Sequence, residues 1–364
     1  MAFFLLGLLL LLTSATAGFA WYLTSRLVAV SHVYDIYPLR VLAIAAGTTV
    51  RLSSGPDAAE PGSFRLAWPG GHASAGPVTG SGPGFVTRQL SHVSGHLAVG
   101  ASVGVEPDPY TGDPRSALGI PFTTVRVHTP LGGMPAWLIA GRRSTWMILI
   151  HGLDGSRADT LPVMSALRSL GFPMLAITYR NDAGAPASPD HQSHLGATEW
   201  HDVEAAIRYA ADHGARHVVL FGYSLGGAMA MVTADNSPLR GQVCALVLDS
   251  PILDWQATLT YQGRRHDLPQ PLISLTETLL AWRTGLDYGQ FDQIRHEAKL
   301  RVPILLIQGT ADTIIPPAVA DAFALGDPRL VTYLRVSGAD HVSAIDTDSL
   351  GYRAALTRFL VQYP

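Results

Sequence analysis

From about residue 120 onward, short apolar runs alternate with amphipathic stretches, and this rhythm constrains the fold more than any other feature of the chain. WMILI, PMLAI, HVVLF, VCALVL and VPILLI are almost continuously apolar, as strands covered on both faces must be, and lack the alternation of a half-exposed sheet. Between them lie SRADTLPVMSALRSLG, HLGATEWHDVEAAIRYAADHG and LGGAMAMVTAD, which read as helices. Before them TTVRVHT and PAWLIAG read as a hairpin. After them come a helical insertion with LISLTETLLAW at about 251–301, a last strand LVTYLRVSG and a closing amphipathic helix GYRAALTRFLVQY. Such a succession predicts an α/β domain over 120–364, with a mostly parallel central sheet flanked by helices.

Residues 26–119 have a different texture. Strand-like runs such as VLAIAA, TTVRLS and SFRLAW are separated by the turn signals PGG and GSGPG, and no helical period persists. This predicts a β-rich N-terminal region. Residues 1–25 form a third segment, with no charged side chain before Arg26 and with Trp21 and Tyr22 where an interfacial belt would lie. The segment predicts a transmembrane helix and a single-pass membrane location. The alternative is a secreted protein after signal cleavage, since Ala15, Thr16 and Ala17 resemble a small-residue cleavage site.

With a formal net charge of -3 and pI near 6.5, the chain has no basic field to neutralise phosphates, which excludes nucleic acid as the expected partner. Its one cysteine, Cys244, sits in the apolar run VCALVLD, reads as a small core residue and cannot form an internal disulfide.

The chemistry is concentrated in four short stretches. HVVLFGYS leads as a strand into Ser224, and LGGAMAMVTA leaves it as a helix. Gly222 and Gly226 leave room for the sharp turn that holds a nucleophilic hydroxyl at the carboxyl edge of a sheet. A serine hydroxyl is a poor nucleophile at neutral pH, so it needs a base, and the base needs an acid to fix its tautomer. Asp312 follows VPILLIQG and His341 follows LVTYLRVSG, so the order serine, aspartate, histidine is the one this arrangement demands. The oxyanion formed on attack needs N–H donors. Leu225, next to the nucleophile, supplies one, and Leu153 in HGLDGS supplies the other, with His151 and Gly152 shaping its loop.

In this order and spacing, HGLDGSR, GYSLGG, GTADTIIP and GADHV resemble the α/β-hydrolase fold superfamily over about residues 121–364. The short insertion and the apolar N terminus resemble its membrane-anchored abhydrolase-domain lipases and esterases. The resemblance implies a serine hydrolase acting on a small-molecule or lipid ester, with no cofactor, a small helical lid, and Ser224, Asp312 and His341 as its triad. A prolyl-oligopeptidase-type peptidase shares this fold and triad and is the alternative activity; a non-catalytic binding protein is the alternative class.

Other residues carry weaker readings. Asp340 and Asp346 flank the histidine and compete for the role of acid, though the carboxylate of an adjacent residue is poorly placed to reach the ring. His191, His194, Glu199 and His201 have spacings that can be drawn as metal ligands, but they surround a loop and a helix start. Trp255, Tyr261, Leu275, Leu279 and Trp282 either line an acyl pocket or pack a lid on the body.

Overall fold

The computed structural model describes residues 2–364 apart from 31–37, 56–57, 60–63, 70, 107–111 and 297–300, with the backbone alone for 2–12 and 296. The chain forms two compact units. One comprises Met1–Val30, Thr123–Arg157 and Ala166–Pro364; the other comprises Ser31–Phe122 and Ala158–Ser165.

The β-rich region is a closed barrel of β1 (Leu39–Ala45), β2 (Thr49–Ser53), β3 (Phe64–Trp68), β4 (Gly71–Gly82), β5 (Phe85–Ser94) and β6 (Ser102–Glu106). The strands pair antiparallel in the order β1-β2-β5-β4-β3-β6, with β6 returning to β1. Closure removes both sheet edges. Leu39, Val50, Leu52, Leu66 and Val103 fill the interior together with the wholly buried Arg88. Its guanidinium donates to the carbonyls of Ala58 (3.1 Å) and Gly76 (3.0 Å) and lies over the Phe64 ring, which offsets the cost of burying a charge.

The larger unit carries β7 (Thr123–Thr129), β8 (Gly132–Ile139), β9 (Thr145–Ile150), β10 (Met174–Ile177), β11 (His217–Tyr223), β12 (Val243–Asp249), β13 (Ile304–Gly309) and β14 (Val331–Val336). They form an 8-stranded sheet in the order β14-β13-β12-β11-β9-β10-β8-β7. Strand β8 runs antiparallel to both β7 and β10, and every other neighbouring pair is parallel. Every residue of β9, β10 and β13 is buried, as their uninterrupted apolar sequences require. Parallel pairing across β9, β11, β12, β13 and β14 brings the carboxyl ends of distant segments to one edge of the sheet.

The helix expected from residue 194 begins only at Trp200. Gly196 has φ +94°, and the buried Glu199 carboxylate accepts the backbone N–H groups of His194 (2.7 Å) and Gly196 (2.9 Å), so the segment is held as a turn. The insertion after β12 contains helices Trp255–Arg265 and Gln270–Thr284 and a single turn, Gln293–His296. At the N terminus the backbone forms one helix, Ala2–Val28. Among the described residues, no helix is long and apolar enough to cross a membrane. The leucine-rich run at 3–12, on which the expected transmembrane helix rests, lies outside the residues whose side chains are described.

Candidate active site

Ser224 stands between β11 and the helix Leu225–Asn236 with φ 51° and ψ -115°. Positive φ is strained for a residue with a Cβ, and here neighbours on all sides impose it. The Ser224 N–H donates to Asp249 O (3.0 Å), and the Ser224 carbonyl accepts from Gly227 (3.0 Å) and Ile252 (3.2 Å). The glycines permit the close passage. A Cβ at Gly222 would overlap the Gly226 carbonyl, and one at Gly226 would overlap the carbonyl oxygens of Ile150 and His151 at the end of β9.

Asp312 and His341 follow β13 and β14, and those strands lie side by side, so the two residues meet. Asp312 Oδ2 is 2.9 Å from His341 Nδ1 and accepts from Gln308 Nε2 at 2.8 Å. Its other oxygen accepts the N–H groups of Ile314 (2.9 Å) and Ile315 (2.8 Å). Burial pushes this carboxyl up, but the His341 hydrogen bond and charge and the two N–H donors outweigh it, so Asp312 is held below the usual carboxylate range. Its side chain is fully buried, whereas that of His341 is 19% exposed, which leaves the outer part of the ring open to the site. Among the described residues the Ser224 hydroxyl and His341 Nε2 make no hydrogen bond with one another.

Asp340 has a separate task. Its Oδ1 accepts from the backbone N–H groups of Thr313 (2.7 Å) and His341 (2.7 Å) and from the Thr313 hydroxyl (2.9 Å), which fastens the loop carrying Asp312 to the loop carrying His341. The insertion braces the same loop. Tyr261 Oη donates to Asp312 O (3.0 Å), and Gln262 Nε2 donates to Thr313 O (2.8 Å) and Ile314 O (2.7 Å).

The HGLDG turn comes directly against the elbow, since a Cβ built on Gly152 would lie 3.2 Å from Ser224 Cβ and 3.8 Å from Ser224 Oγ. Neither the Leu153 nor the Leu225 N–H enters a hydrogen bond among the described residues. The Gly152 carbonyl, by contrast, is gripped: Tyr179 Oη donates to it at 2.6 Å and His151 Nδ1 at 2.9 Å. His151 is wholly buried, stacks on Tyr179 at 4.3 Å, and places Nε2 2.7 Å from Asp182 Oδ2. No local pattern reveals this cluster, because residues 151, 179 and 182 come from the ends of two different strands.

A second carboxylate lies beneath the site. Asp249 ends β12, is wholly buried, and accepts from Tyr352 Oη (2.8 Å) and Ser250 Oγ (3.3 Å). Burial pushes it up to about 7, against those hydrogen bonds and the His341 charge. The Ser250 hydroxyl in turn accepts the Val342 N–H at 3.1 Å, next to His341.

Of the remaining sequence candidates, Tyr261 braces the Asp312 loop. Glu199 serves the turn at 194–198, and among the described residues no group of three His, Cys, Asp or Glu side chains could hold a metal ion. Trp255 is buried in the core, whereas Trp282 is 73% exposed. Burial pushes the half-buried Cys244 thiol up to about 11, so it stays protonated and unreactive.

A strained serine at a strand-to-helix turn, an aspartate and a histidine paired after β13 and β14, and this strand order define a serine hydrolase of the α/β-hydrolase fold. More narrowly, the model of the prolyl oligopeptidase family matches residues 160–363, and the chain belongs to that family. The barrel matches a family described as Domain of unknown function (DUF8805) over residues 40–106. Among curated proteins the chain is similar to the uncharacterized protein Rv2307c of Mycobacterium tuberculosis, 27% identical over 239 residues that cover 65% of this chain and 73% of that protein. It is also similar to the uncharacterized protein YfhR of Escherichia coli K12, 27% identical over 57% of this chain and 67% of that protein. Among solved structures it is similar in fold to the Pyrococcus furiosus esterase Pf2001, with TM-score 0.56 and 20% identity over 70% of this chain and 94% of that one. A putative lipase of Acinetobacter baumannii has TM-score 0.51 and 17% identity over 68% of this chain and 93% of that one.

Proposed function

We propose that the protein hydrolyses carboxylic esters through an acyl-enzyme on Ser224. His341 takes the serine proton and returns it to the leaving alcohol, Asp312 holds the His341 tautomer and stabilises its cation, and the N–H groups of Leu225 and Leu153 receive the oxyanion. Water then repeats the sequence on the acyl-enzyme and regenerates the serine. The observation that carries this reading is the 2.9 Å contact between Asp312 and His341, which follow the adjacent strands β13 and β14 of the sheet whose β11 ends at a serine in a strained turn. Esters, with thioesters and lipid esters, are the substrate class because they ask least of the leaving group. The named esterase and putative lipase among the structural neighbours accord with that choice.

Membership of the prolyl oligopeptidase family favours peptide cleavage as a second reading. A panel of p-nitrophenyl esters and peptide p-nitroanilides separates the two. A fluorophosphonate probe tests the serine itself: labelling should disappear in Ser224→Ala, and labelling that persists there would remove Ser224 from the mechanism. Membrane attachment through the N-terminal helix belongs to the same proposal, supported by the uncharged sequence before Arg26. Release of the full chain from membranes by alkaline carbonate would oppose it.

A further inference from the structure

Among the residues of the helix Ala2–Val28 whose side chains are described, those that meet the body lie in its last turns. Ala20, Thr24 and Val28, spaced four apart, are 0%, 0% and 2% exposed and form one stripe, whereas residues 13–19 are exposed throughout. The stripe packs on the inserted helix Gln270–Thr284. Arg283 clamps the pair: its guanidinium donates to Thr24 Oγ1 (2.9 Å), Ser25 Oγ (2.8 Å) and Gln192 Oε1 (3.0 Å) and lies 4.3 Å from the Trp21 ring centroid.

At the level where the helix leaves the body stand four exposed aromatic side chains. Phe19, Trp21 and Tyr22 are 44%, 48% and 56% exposed, and Trp282, on the other helix, is 73% exposed with its ring 6.4 Å from Trp21. A cluster of large apolar rings on a water-facing surface marks an interaction site. The sequence before Phe19 has no charged side chain, while Arg26 and the Thr24 and Ser25 hydroxyls that Arg283 holds come after the rings. Uncharged chain, then aromatic rings, then arginines is the order of polarity met on passing from hydrocarbon through the interface to the headgroups of a bilayer.

The same face adjoins the site. Val28 O accepts from Ser193 N (2.9 Å), and Ala29 pairs with Gln192. That loop continues to Gly196, where a Cβ would lie 3.2 Å from Leu225 Cδ1, beside Ser224. We propose that Phe19, Trp21, Tyr22 and Trp282 form an interfacial belt on a lipid bilayer, which holds the Ser224 site at the membrane surface and selects esters whose acyl chains reside in the lipid. The substrate class rests on the Ser224 reading; the belt does not.

The test uses the full chain in phosphatidylcholine vesicles. With lipid brominated near the headgroup, tryptophan emission should be quenched, and most of the quenched fraction should vanish in Trp21→Phe/Trp282→Phe. On a fluorogenic long-chain ester embedded in the vesicles, Trp282→Ala should lose about tenfold in turnover, equivalent to ~1.4 kcal/mol, while hydrolysis of soluble p-nitrophenyl acetate stays unchanged. Absent quenching in protein that still hydrolyses the soluble ester overturns the belt, as does a Trp282 emission that shifts with protein concentration in the absence of lipid, which would mark a second copy as the occupant. Equal losses on both substrates overturn the selection of lipid esters. Activity that survives in Ser224→Ala defeats the nucleophile reading and leaves the quenching result standing.

Discussion

Asp312 Oδ2 lies 2.9 Å from His341 Nδ1, although 29 residues separate them, while Asp340, the immediate neighbour of His341, gives its carboxylate to Thr313 and to backbone N–H groups. Proximity in sequence and proximity in space therefore nominate different acids. Asp312→Asn should lower kcat on a p-nitrophenyl ester by about 10⁴-fold, because the amide can hold the wrong tautomer of the ring. Asp340→Asn should act mainly on stability, costing about 1–3 kcal/mol through its lost bonds to the Thr313 loop. A larger loss of kcat in Asp340→Asn than in Asp312→Asn would reverse the assignment.

Tyr179 and His151 hold the Gly152 carbonyl, and a trans peptide points the Leu153 N–H the opposite way. Tyr179→Phe releases one of those two holds. We expect kcat to fall about tenfold with KM nearly constant, less than the ~10²–10³ that follows outright loss of an oxyanion donor. A change confined to KM, or to thermal stability, would show that Tyr179 has no part in orienting that peptide.

Asp249 and Asp312 should respond to pH in opposite senses. Asp312 is held low, so its contribution to stability is present above the unfolded carboxyl value near ~3.9 and is lost as pH falls through its folded value. Asp249 is pushed up to about 7, so its contribution is complete below that unfolded value and is lost as pH rises through about 7. The melting temperature of Asp249→Asn, measured from pH 5 to 8, should gain on that of the wild type as pH rises. Parallel curves would mean that Asp249 is not the titrating group.

Gly226 has no room for a methyl group beside the carbonyls of Ile150 and His151. Gly226→Ala should cost about 1–3 kcal/mol or more in urea unfolding, since neither β9 nor the elbow can move away without breaking the sheet. An unchanged midpoint with unchanged slope would refute the close packing of elbow and oxyanion loop.

Much of this was legible along the chain because it is local. Unbroken apolar runs such as WMILI and PILLI specify strands covered on both faces, and HVVLFGYSLGG contains its strand, the glycines of its turn and the start of its helix within one contiguous stretch. The serine, aspartate and histidine could be ordered because each follows a recognisable strand. The helix start misplaced by six residues, from His194 to Trp200, shows the limit even locally. Glu199 reads as part of a helix, yet its carboxylate folds back onto the N–H groups of the turn before it.

The sequence by itself determined the strand and helix rhythm, the elbow and the residue types of the site, since these depend on side chains a few positions apart. Only the tertiary structure decided that β1 to β6 close into a barrel, that Asp340 serves Thr313, that Tyr179 and His151, the latter set against Asp182, grip one carbonyl, and that Trp282 stands beside Trp21. Each of these joins residues whose separation along the chain carries no periodic signal. They become neighbours only when burial of the apolar strands sets the order of the sheet and brings their ends together.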